Sequence, residues 1–136
     1  DYARIRTTIE SAFPQRARQN GPENPLIVPV VVGQVIVDFL LALPGYEEQI
    51  IERAVLQDFG GWSAWICSAE DLIVQKVVAG RAKDWMDVDA LLSERLADLD
   101  EAYVEDWIGQ FAEVLEKPEL MSQYQQLRFK AESLGN

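Results

Sequence analysis

Residues 68–92, SAEDLIVQKVVAGRAKDWMDVDALL, constrain the fold more than any other stretch of the chain. Ser68 and Asp71 form an S-x-x-D capping box, so a helix is expected to start there. Leu72, Ile73, Val74, Val77, Val78 and Ala79 make that helix apolar on nearly every side, which predicts burial. Gly80 predicts its end in a left-handed conformation. A second helix opens at once, with Arg81, Lys83, Asp84 and Asp87 crowded at its start. Lys76, inside the apolar run, must find an anion, either a protein carboxylate or a ligand.

The rest of the chain reads as short elements around this pair. Tyr2, Ile5, Ile9, Ala12 and Phe13 recur at helical spacing, predicting a helix over 2–18. Its arginines, Arg4, Arg6, Arg16 and Arg18, read as a solvated helix face or a phosphate-binding patch. Residues 19–25, QNGPENP, read as a loop. Residues 26–43 are rich in β-branched side chains and broken by Gly33-Gln34, which predicts two strands and a tight turn. The second strand, 35–41, is apolar at almost every position, as a central strand covered on both faces would be. Residues 46–54 predict a short helix with Ile50 and Ile51 inward. A hairpin around Gly60-Gly61 follows, with arms 54–59 and 62–67. After the central pair of helices, 100–116 form an amphipathic helix with Tyr103, Val104, Trp107, Ile108, Phe111 and Leu115 on one stripe. Pro118 interrupts, and a last helix runs to about 134. The layout is α+β, a small mixed or antiparallel sheet followed by a C-terminal helical bundle. It divides into 1–67 and 68–136 within a single globular unit.

Composition narrows the chemistry. The chain has no histidine and one cysteine, Cys67. Imidazole catalysis, His-paired nucleophiles and an internal disulfide are therefore excluded, and a cytoplasmic, reducing compartment is expected. A metal would need oxygen ligands, which favours magnesium, manganese or calcium. A net charge of -11 opposes tight binding along a nucleic-acid backbone. No apolar run reaches membrane-spanning length.

Two residues stand out as candidates. Asp38 puts a carboxylate in the middle of V-I-V-D-F-L-L; it is paired with Arg81 or Lys76, bound to a metal, or placed at the strand's solvent end. Lys76 is either a phosphate ligand or a snorkelling side chain that reaches water past Gln75. Arg81 with Asp84, and Lys83 with Asp87, are spaced to form local ion pairs.

The string from Ser68 to Leu92 resembles the S-P-E-D-L-I-x-x-K-x-x-A-G-R-x-x-D-x-x-D segment of bacterial nucleotidyltransferase-like proteins. These are the AbiE-type abortive-infection toxin group of the DNA polymerase beta nucleotidyltransferase superfamily. V-I-V-D-F-L-L is similar to that group's third-carboxylate strand, and residues 100–120 to its C-terminal helices. The resemblance spans roughly 26–120. It implies a nucleotidyltransferase-type core and Mg2+-dependent transfer of a nucleotidyl group from a nucleoside triphosphate to an RNA or protein hydroxyl, within a toxin–antitoxin or defence system. Asp38 would be a catalytic, metal-holding carboxylate and Asp84 a second catalytic acid. Lys76 would neutralise the triphosphate with Arg81 beside it. An antitoxin or a second copy would be the protein partner. The group's G-S turn and D-x-D strand are missing from these residues. Asp87-Val88-Asp89 cannot replace them, because side chains on a helix diverge by about 100° per residue. The chain, which starts at Asp1, is thus expected to be an incomplete core without activity, or alternatively a non-catalytic protein-binding module of the same ancestry.

Overall fold

The computed structural model describes residues 1–19 and 23–135, so Asn20, Gly21 and Pro22 of the expected loop lie outside the described residues. The chain forms two compact units, Asp1–Gln49 and Ile50–Asn136. The division falls inside a helix, so the second hairpin groups with the helical half. Both units mix or border helix and strand, and the fold is α+β.

In the N-terminal unit, α1 (Tyr2–Ala12) starts where the Asp1 side chain accepts the Arg4 N–H at 3.3 Å. It ends well short of the expected residue 18. Pro14 has no N–H to donate and disfavours helical backbone at Phe13. The residues beyond it turn extended instead. Val31 N–H donates to the Gln15 carbonyl at 2.8 Å and Ala17 N–H to the Pro29 carbonyl at 3.2 Å. These bonds flank one side of β1 (Ile27–Val32); β2 (Val35–Leu40) pairs antiparallel on the other, around Gly33 at φ 63°. β1 is therefore the inner strand and β2 the outer one. Val28, Val30 and Leu41 are buried, with Ile9, Phe13, Leu26, Val37 and Phe39 packed against them.

This corrects the expectation that the second strand is covered on both faces. β2 alternates: Val37 and Phe39 are half-buried, while Val35, Ile36, Asp38 and Leu40 are exposed. Its hydrophobicity runs on both faces, but burial follows the period of two that a strand imposes.

The C-terminal unit begins within α2 (Tyr46–Glu52), where Ile51 is exposed rather than inward. A short hairpin follows, β3 (Val55–Asp58) with β4 (Ser63–Ile66), a sheet separate from the first. Then come α3 (Ala69–Ala79), α4 (Ala82–Arg95), a single 3-10 turn, α5 (Glu101–Val114) and α6 (Glu119–Gly135). α3 packs on α4 and α5, and α6 on α4 and α5. Ile73, Val74, Val77, Val88, Leu92, Val104, Ile108 and Tyr124 are wholly enclosed in the helical core.

The helix ends follow from local chemistry. Gly80 closes α3 at φ 64°, its N–H donating to the Lys76 carbonyl at 3.0 Å. α5 ends in a Schellman motif: Lys117 N–H reaches the Ala112 carbonyl at 2.8 Å and Glu116 N–H the Glu113 carbonyl at 3.1 Å. Glu116 takes the left-handed position, φ 54°, and Pro118 then prevents continuation. No helix among the described residues is long and apolar enough to cross a membrane.

Candidate functional site

Two charged clusters sit at opposite ends of α3. The first surrounds Asp71 in its opening turn. The Ser68 hydroxyl accepts the Asp71 N–H at 3.1 Å and donates to Asp71 Oδ2 at 2.7 Å. The Tyr103 hydroxyl, from α5, donates to Asp71 Oδ1 at 2.7 Å. Arg53 approaches from the loop before β3, with Nε 3.4 Å from Asp71 and its guanidinium 3.9 Å above the Tyr103 ring. Glu70 adds a bond from the Asp100 N–H at 3.1 Å. Asp71 is wholly buried, and its carboxylate is the point at which helix start, neighbouring helix and preceding loop are joined. Burial and the acceptor Asp71 push the Tyr103 phenol up to about 12. The sequence showed Asp71 as a cap. That Tyr103 and Arg53 converge on it is a long-range fact with no spacing to reveal it.

The second cluster joins the end of α3 to the start of α4. Lys76 Nζ lies 2.6 Å from Asp87 and 3.4 Å from Asp84. Arg81 Nε donates to Asp84 Oδ2 at 2.6 Å and Nη2 to Oδ1 at 3.1 Å, a two-pronged grip. The Arg81 N–H also reaches Asp84, at 3.2 Å, so the acid at the third helical position caps its own helix. Lys76 therefore does not reach past Gln75 to water alone: two carboxylates of α4 hold it. Asp87 takes Lys76 rather than Lys83, because α3 and α4 fold back on each other across the Gly80 turn.

The charges in this quartet are unequal in exposure. Asp84 is buried (1%), whereas the Lys76 and Asp87 side chains are 27% and 39% exposed. The Arg81 grip, outweighing burial, holds the Asp84 carboxyl down at about 2. The Asp87 hydrogen bond raises the Lys76 ammonium. Asp84 ionises more readily folded than unfolded. Its contribution to stability is complete above its ordinary value near 3.8 and lost as pH falls through about 2. Acid titration of the helical signal is expected to lose stability across that window. Asp84→Asn should remove that part of the pH dependence, measured by urea unfolding at pH 2 to 5.

Asp38 belongs to the N-terminal unit, opposite Pro29 in the β1–β2 register. It is exposed on β2, so of the placements expected for it the solvent-facing one is observed and burial in the strand is not. Among those residues no group of three or more Asp, Glu or Cys side chains is placed to hold a metal ion. Comparison with family models, with curated proteins and with solved structures returns no match.

Proposed function

We propose that the chain is a nucleotidyltransferase-like protein of a bacterial toxin–antitoxin or defence system, and that it binds a nucleoside triphosphate through Lys76 without turning it over. The reaction of the intact family would be Mg2+-dependent nucleotidyl transfer to an RNA or protein hydroxyl. The supporting observation is the uneven grip on Lys76. Asp84 holds it from the buried side, and Asp87 from a half-exposed side that a phosphate oxygen can take over. Arg81, largely exposed, stands beside the same carboxylate. Asp84 is assigned to positioning these cations, since its own oxygens are occupied. At Asp38 a magnesium ion would meet a single exposed carboxylate, so metal binding there is proposed as weak or absent in this chain.

Thermal shift with magnesium and each of ATP, CTP, GTP and UTP tests this. A tenfold excess over Kd is worth about 1.4 kcal/mol, or roughly 4–8 °C for a domain of this size. At least one nucleotide is expected to give such a shift. Asp87→Asn, which frees the ammonium, should enlarge it, and Lys76→Ala should abolish it. Identical responses from wild type and Lys76→Ala would remove the binding role. The quartet would then stand as a staple of the α3–α4 turn in a non-catalytic module, the reading that the double pairing of Lys76 favours.

A further inference from the structure

The hairpin β3–β4 is a sheet that nothing in its own unit covers. Trp62 and Trp65 are 61% and 69% exposed, and Ile51, Val55, Leu56 and Ile66 are exposed around them. Two strands of four residues are marginal in water; stability needs a third strand or a packed helix. No helix of the C-terminal unit makes more than minor contact with either strand. Free strand edges are normally protected by lysine, proline or a bulge. Residues 54–67, AVLQDFGGWSAWIC, contain no lysine, arginine or proline. A cleft of about 600 Å³ is lined by Ile50, Ile51 and Ala54 together with Trp65 and Ile66 of β4. Among the described residues, Glu52 is the charged one that lines it.

We propose that the β3–β4 edge binds an extended segment of a partner protein in which apolar and basic residues alternate. The segment adds a strand through main-chain hydrogen bonds and sets alternate side chains against Trp65 and the cleft. Charge selects the occupant. Glu52 and Asp58 are the acidic groups of residues 50–67, and the one cation there, Arg53, is held by Asp71 and Glu70. The chain's excess of acid, 23 against 12 basic residues, lies mostly in residues 50–136. A second copy brings the same negative field to the contact, and a basic strand meets it with complementary charge. The surface is independent of whether Lys76 binds a nucleotide.

The test uses the full chain and three eight-residue peptides, alternating valine–lysine, serine–lysine and valine–glutamate, followed by calorimetry and tryptophan emission. Valine–lysine is expected to bind with a blue shift. Serine–lysine should bind at least tenfold more weakly, and valine–glutamate not at all. Trp65→Ser, at an exposed site, should weaken valine–lysine binding at least tenfold while leaving the helical circular dichroism and Tm unchanged. Equal binding of the two lysine peptides, no binding of either, or indifference to Trp65→Ser overturns the proposal. So does a concentration-dependent dimer, seen by light scattering, that shields the tryptophans without peptide; the occupant is then a second copy.

Discussion

Asp71→Ala is expected to lower the stability of the helical unit by about 3–5 kcal/mol, since it removes two hydroxyl bonds to a buried carboxylate at about 1.5–3 kcal/mol each. Asp71 is wholly enclosed and receives bonds from the Ser68 and Tyr103 hydroxyls as well as from Arg53. Truncation leaves two hydroxyls facing a void and deprives Arg53 of its nearer carboxylate. An orphaned buried polar group alone costs about 1–3 kcal/mol. Tyr103→Phe removes one of these bonds and keeps the others, and should cost about 1.5–3 kcal/mol. Urea unfolding followed at 222 nm separates the two variants. A loss below about 1 kcal/mol for Asp71→Ala would mean that the network does not hold α3 to α5.

Ile108→Ala is the second large effect, a loss of about 2–5 kcal/mol. Ile108 is wholly buried on α5, the helix that packs against both α3 and α6. Removing most of its side chain forfeits the transfer energy and leaves a cavity between helices that are already fixed by their caps. Calorimetric unfolding gives the measurement. Trp65→Ser removes a larger apolar side chain from the hairpin, yet it should change Tm little, because that ring faces water. If the two variants cost the same, the core does not lie among the helices.

Much of the fold was legible because its signals are local. Ser68, Gly80 and Pro118 punctuate the helices where capping and backbone chemistry require. Gly33-Gln34 and Gly60-Gly61 mark both hairpins. The first helix is shorter than its spacing predicts: Ile9 and Phe13 keep helical spacing up to Pro14, and Pro14 ends the helix at Ala12. The apolar run around Asp38 suggested burial, but a run of β-branched residues reads the same on an outer strand with one face open. Ile51 failed for the same reason: spacing tells which residues share a face, not whether anything lies over it.

Of the candidate site, the residue types near the α3–α4 turn and the Arg81–Asp84 pair at i,i+3 were legible, and the pairing of Lys76 with Asp87 was not. Sequence alone determined that Lys76, Arg81, Asp84 and Asp87 lie within about two turns of Gly80, on the two helices it separates. Only the tertiary structure decided which acids take Lys76, and that Tyr103 and Arg53 close on Asp71. Those choices depend on distances between helices far apart in the chain, set by how the core packs. Capping is a matter of a few bonds within one turn; partner selection is a matter of which surfaces the whole molecule brings together.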